Sequence, residues 1–519
     1  MQKLALFKTL LVVAVIAICS MRAAAQTMYV QSADAISGLQ SNGNNDLGSQ
    51  VKSDGLGSPE SALMEEHYVS QPLNNWQGDA NAKPVDDKAE KRLKDIEKRL
   101  DEFDAAKKKF PSVTVNGVFQ ADSVWFNQPA SSRSQYGLIE DGAAFRRARL
   151  SAKGSVTDST NYFMQMDFGF FGRPTFTDVW VEQTKIPYLG TVRVGQWKQP
   201  FSLEVVSSFR YTTFMERSLL FQSFTPFRHI GVGFYNNADD LNSTWAMSYF
   251  RTGQDQFGNS LSTDGGHGMA ARLTRLAWWC DNGSNYLHLG SGYFLNSPPR
   301  DRARFRTIPE IFVGEFAPGG VGTSGQAVPG VFNGTPFFAD TGVIQNVNAI
   351  STYGLEALWV KGPLSWQSEA MAAQVNQTGV RDSILGGMYS QVGYFLTGEH
   401  RPYDRKAGAI DRVMPRANFK PGSGGLGAWE VAGRWSYVDL NAPTFATAGN
   451  PAASGAGGIM QNLTAGLNWF INPYVRWEFN YIHSWVNGHA IDQATHQFDF
   501  TRTAKSETNI FGTRVQLDF

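Results

Sequence analysis

From Val113 to Phe519 the chain is written in short runs whose apolar and polar residues alternate with a period of two. That period sends successive side chains to opposite faces of a strand. In FRRARLSAKG (145–154), Ala148, Leu150 and Ala152 share one face, while Arg147, Arg149, Ser151 and Lys153 share the other. In NYFMQMDFGF (161–170), Tyr162, Met164, Met166 and Phe168 oppose Gln165 and Asp167. In FTDVWVEQTK (176–185), Val179 and Val181 oppose Asp178, Trp180 and Glu182. Alternation alone fits any antiparallel sandwich. A face of cations and carboxylates set against one of methionines and aromatics fits a barrel with a wet lumen and a lipid-facing exterior. The same phase places Arg272, Arg434, Arg476 and Arg514 inward, together with Asp167, Asp178, Glu182, Glu356, Glu430, Glu478 and Asp518. Counting every such run predicts about sixteen antiparallel strands over residues 111–519.

The N-terminal quarter reads differently. Residues 1–25 have Lys3 and Lys8, an apolar centre at Leu10–Ile18 and a small-residue site at Ala23–Ala25, the pattern of an export signal. Residues 26–83 are rich in Ser, Asn, Gly and Gln, a composition that predicts a disordered linker. Over 84–110, Leu93, Ile96, Leu100 and Phe103 fall at heptad a and d positions with charges almost everywhere else. That spacing predicts a short helical coil stopped by Pro111. No run after Gln26 approaches the length of a membrane helix. Cys19 lies in the signal, which leaves Cys280 alone in the mature chain and rules out an intramolecular disulfide. A closed barrel needs no such staple.

Three stretches are long and rich in Gly, Pro and Ala: 296–348, 400–424 and 440–458. Each is expected as an outward-facing loop, opposite short turns such as SVTDST (155–160) and INPY (471–474). A fourth stretch, 198–230, is too irregular for strands and too apolar for a solvated loop. Its place is inside the barrel, with Lys198, Arg210, Arg217 and Arg228 between its aromatics. Formal net charge is +0, which names no nucleic-acid or other charged partner. Over 111–519, however, 25 of the 32 basic residues are Arg, against 31 acids. Arg presents a planar fork that binds phosphate or carboxylate bidentately, so a lumen lined by it would draw anions. Opposed walls of both signs suit a general diffusion pore as well.

Signals for catalysis are poor. Gly422, Gly424 and Gly427 match GxGxxG, but without the following helix that a nucleotide site needs. No GxSxG or HExxH occurs, and the eight histidines show no metal-ligand spacing, so neither cofactor nor metal is expected. An exported soluble β-rich surface protein is the reading from a different class.

Several words resemble one family, the phosphate-selective porins O and P of bacterial outer membranes. They are FRRARLSAKG, RVGQWKQPFSLE (193–204), RYTTFMERS (210–218), FADTG (338–342), YFLTGEHRPY (394–403), GAWEVAGRWSYVDL (427–440) and GLNWFINPYVRWEFNYIH (466–483). Phe519, at the end of an alternating last strand, resembles the assembly signal of such barrels. The resemblance implies a homotrimeric barrel of about sixteen strands whose third loop folds inward and narrows the pore. Its cations would line the path for small anions such as phosphate. With the strand phase, the residues implied are Arg147, Arg149, Lys153, Arg193, Lys198, Arg210, Arg217, Arg228, Arg272 and Arg434. The N-terminal segment would then be periplasmic.

Overall fold

The computed structural model describes residues 91–92, 94–99, 110–169, 174–253, 262–314, 335–422, 424–442, 456–492 and 497–519. The chain divides into two units, residues 1–71 and 72–519. The expected signal, the linker and most of the heptad stretch lie outside the described residues. Residues 91–92 and 94–99 are helical, and Ile96, the one heptad position described, is 55% exposed.

Sixteen strands close into one antiparallel barrel, each paired with its neighbours in the chain. They are β1 (Thr114–Asn127), β2 (Gly142–Ser155), β3 (Thr160–Asp167), β4 (Thr175–Ile186), β5 (Gly190–Lys198), β6 (Arg228–Asn237), β7 (Ser243–Arg251) and β8 (His267–Cys280). Next come β9 (Asn285–Ser297), β10 (Val347–Lys361), β11 (Leu364–Gln377), β12 (Ser383–Phe395) and β13 (Ala428–Asn441). The last are β14 (Ala456–Phe470), β15 (Val475–Asp492) and β16 (Gln497–Asp518). Pairing of β16 with β1, from Val118↔Asp518 to Asn127↔Asn509, closes the ring and leaves no edge. The wall is uneven. Strands β3, β5, β6 and β7 have 8, 9, 10 and 9 residues, whereas β15 and β16 have 18 and 22.

The alternation sorts side chains as the sequence predicts. Gln120, Arg434, Glu430, Asn468, Glu478 and Arg514 are each at most 1% exposed on the inner face. Leu150, Leu355, Leu463 and Val194 are 49–52% exposed on the outer face. The barrel has a turn end, with Phe519 and connections such as 156–159 and 471–474, and a loop end with the longer crossings.

One expectation fails here. The segment 396–427 joins β12 to β13 at the turn end, because Leu364, the first residue of β11, pairs with Tyr394 near the end of β12. It is therefore not a loop-end loop, despite its composition. Length and glycine content report only that a connection is long; which end it occupies depends on the parity of the strands before it. The loop 298–346 does cross at the loop end, but its described part turns inward, burying Ile308, Ile311, Phe338 and Ile344.

Among the described residues, parts of three connections occupy the lumen: 199–227, 298–314 with 335–346, and 401–413. In the first, Phe201, Leu203, Val205 and Leu220 are fully buried and Phe214 and Met215 nearly so. Burying one such side chain contributes about 1.5–3 kcal/mol. Phe201 reaches the wall because Gly292 and Gly354 leave space there; an ideal Cβ would stand 2.8 and 3.0 Å from its ring.

Candidate functional site

The site is the zone where the inserted loop 199–227 meets the inner wall. A loop in this position must satisfy its backbone from the wall, and acids and arginines do so. Glu369 of β11 accepts from the amides of Leu203 (3.1 Å) and Glu204 (2.8 Å), fixing the start of the short helix Leu203–Val206. Arg476 donates to the Thr212 carbonyl (2.7 Å) and Arg434 to that of Glu216 (3.1 Å).

Glu216 is the centre of one charge cluster. Arg146 binds its carboxylate through two contacts, Nε at 2.8 Å and Nη2 at 3.1 Å. Arg147 Nη2 lies 3.3 Å from it and Arg514 Nη2 2.7 Å. Arg514 also holds Asp122 bidentately, at 2.7 and 2.6 Å. Burial alone would raise the pKa of Glu216, but Arg146, Arg147 and Arg514 outweigh it and hold the group well below the usual carboxylate range.

A second cluster lies where the loop leaves β5 and rejoins β6. Arg149 Nε pairs with Asp167 at 2.6 Å, and Arg228 Nη2 with Asp178 at 2.6 Å. Lys198, directly across from Arg228 in the ladder, donates to the carbonyls of Val206 and Ser207, both at 2.8 Å. Arg217 donates to the carbonyls of Glu204 (2.7 Å) and Ser207 (3.0 Å). Burial brings Arg217 down to about 10, a shift that Glu204 opposes. Two cations thus converge on one neutral carbonyl.

The remaining expected residues are spread along the lumen. Arg193 Nη2 binds Glu182 (2.6 Å), and its guanidinium lies 3.9 Å from the Trp180 ring centre. Lys153 stands near the turn end of β2, across from Phe163. Arg272 pairs with Glu356 (2.6 Å), Arg434 with Glu310 (2.9 Å). Arg210, near the tip of the inserted loop, reaches Asp518 at 3.4 Å.

Sequence reasoning missed Arg146, which stands at a bulge of β2, and two groups besides. The first is the acids of the inserted segments, Glu204, Glu216 and Glu310, which were overlooked beside the more conspicuous arginines. The second comes from the misplaced connection: Arg401 pairs with Glu430, and Arg412 with Asp518, both from the turn end. The same connection touches the inserted loop where Ile410 N donates to Ser207 Oγ at 3.0 Å. Tyr403, Ile410 and Val413, buried apolar residues in a stretch without strand period, were the available signal. Among the described residues no cluster of His, Cys, Asp and Glu could hold a metal.

Residues 113–519 match the family model described as phosphate-selective porin O and P. Porin O of Pseudomonas aeruginosa is 25% identical over 392 residues, covering 72% of this chain and 82% of that protein. An uncharacterized protein of Caulobacter vibrioides is 28% identical over 392 residues, covering 73% of this chain and 68% of its own. An anion-selective porin from Comamonas acidovorans superposes over 79% of this chain and 99% of its own, with a TM-score of 0.46 and 11% identity.

Proposed function

The chain belongs to the phosphate-selective porin O and P family and is an outer-membrane porin; from that premise we propose that it passes small hydrophilic solutes with a preference for anions such as phosphate. The observation that carries the preference is the pair Lys198 and Arg217. Both meet at the Ser207 carbonyl, and their hydrogen bonds go to neutral carbonyl oxygens rather than to a carboxylate. Charges in a narrow, poorly solvated passage act far more strongly on an ion than charges on an open loop, which salt screens within about 8 Å. A homotrimer with its turn end toward the periplasm fits this reading, since short turns lie on that side in such barrels.

A second reading has its own support. Arg147, Arg149, Arg193, Arg228, Arg272 and Arg434 each face a carboxylate. A lumen so balanced suits a general diffusion porin without anion selectivity.

Reversal potentials in a planar bilayer under a salt gradient separate the two. Lys198→Gln combined with Arg217→Gln is expected to move the reversal potential toward cations and to change single-channel conductance. Arg302→Gln, at an exposed loop position, is the reference and should change both much less. Arg306 is unsuitable as a reference, because it stacks on Phe337 (4.3 Å) and its carbonyl accepts from Ser223 of the inserted loop (3.3 Å). Unchanged selectivity in a double variant that still assembles would favour the general porin.

A further inference from the structure

The glycine word at 422–427 has no part in the pore. The turn-end connection divides in two: residues 401–413 enter the lumen, while the stretch that follows returns along the outside of the wall. There Phe419 N donates to the Ile471 carbonyl (2.8 Å), and Lys420 N to that of Gly425 (3.1 Å), closing a small ribbon. Gly427, at φ +70°, has its Cα against the Phe470 carbonyl, where a Cβ would clash, so glycine is required there. The Leu426 carbonyl then accepts from two indoles, Trp429 Nε1 at 3.2 Å and Trp469 Nε1 at 2.9 Å.

Those indoles settle which side of the wall the ribbon occupies. Trp429 and Trp469 are cross-strand neighbours with ring centres 5.1 Å apart. They share the outward phase of Val431, Trp435 and Leu463, which are 37–52% exposed. Phe419 packs edge-on to Trp469 at 4.9 Å. With those contacts made, Leu426 and Met414 are still 62% and 61% exposed, and Arg416 and Lys420 are exposed in the same stretch.

We propose that residues 414–422 and 424–427 form an interfacial foot, lying in the headgroup–acyl boundary of the leaflet at the barrel's turn end. Leu426, Met414 and Phe419 enter the acyl region, while Arg416 and Lys420 meet lipid phosphates. Indoles concentrate at that depth because one edge is polar and the rest apolar. Exposed apolar residues beside cations are the composition of segments that lie in the interface plane. The indoles that hold the ribbon belong to the outward face of β13 and β14. Strands β13 and β14 also stand across the ring from the low wall of β3–β7, so a second copy seated on that low wall leaves the foot facing lipid.

The test places an environment-sensitive fluorophore on single cysteines in the full chain, in a Cys19→Ser, Cys280→Ser background, reconstituted in phosphatidylcholine–phosphatidylglycerol vesicles. Labels go at Leu426→Cys and Met414→Cys, with Val431→Cys as the lipid reference and Asp158→Cys, in an exposed turn, as the aqueous one. Labels at 426 and 414 should be quenched at least twofold more by phosphatidylcholine spin-labelled near the headgroup than the label at 158, and shielded from iodide. Iodide quenching at 426 equal to that at 158 overturns the foot. So does disulfide-linked pairing of copies through Leu426→Cys, which would assign the surface to a contact between copies. If the label at 431 also fails to see lipid, the barrel itself is not inserted, a separate failure.

Discussion

At the scale of single residues, the lumen is governed by what becomes of an arginine removed from water. Arg514 is 1% exposed and shares two carboxylates, Asp122 and Glu216. Removing one partner of such a pair leaves an uncompensated charge and costs about 3–5 kcal/mol, whereas replacing both with apolar groups of similar size is often close to neutral. Asp122→Ala removes the bidentate one of the two carboxylates of Arg514, leaving Glu216, and is expected to lower the unfolding midpoint in urea, measured on the reconstituted barrel. Asp122→Leu with Arg514→Met should recover most of the loss. If the double variant is no more stable than the single, the pair does not act as a unit. Arg147, Arg149, Arg272 and Arg434 were legible in the sequence because strand phase fixes their face in β2, β8 and β13. Arg146 was not, because it stands at a bulge opposite Gln120 and Ala121 and reaches Glu216 out of phase. The strand carboxylates Asp167, Asp178, Glu182 and Glu356 were legible by strand phase, whereas Glu216 and Glu310 were not, since they lie on segments whose course no period dictates.

Among the elements, β16 has the most dependents. Phe519 exchanges backbone hydrogen bonds with Gly117 of β1, at 2.9 and 3.1 Å, and its ring covers that glycine. Deleting Phe519 is expected to lower the yield of membrane-inserted protein more than deleting residues 30–80. Equal yields would remove the assembly role assigned to the terminal aromatic. The strands were readable because a two-residue period over nine or more positions has few alternatives, and β13–β16 follow it nearly from end to end. The turn-end connection was misplaced for the converse reason: nothing local in 396–427 records how many strands come before it. For the helical stretch near Ile96, we expect Ile96→Asp with Leu100→Asp to weaken the trimer on native gels while the barrel stays folded. An unchanged oligomer would leave that helix without a role in association.

For the molecule as a whole, the wall and its contents are tied at opposite ends of the chain. The connection 396–427 places Arg401 on Glu430 of β13 and Arg412 on Asp518 of β16, while Arg210 of the inserted loop comes to that same Asp518. A socket cannot receive its guest before it exists. Asp518 stands at the end of β16, where it pairs with Val118, so both arginines depend on the register of that strand against β1. Without that register, Arg210 and Arg412 lack the carboxylate that holds them at this end of the lumen. A barrel caught with β16 slipped by one residue would turn Asp518 toward the lipid and leave both arginines without their acceptor.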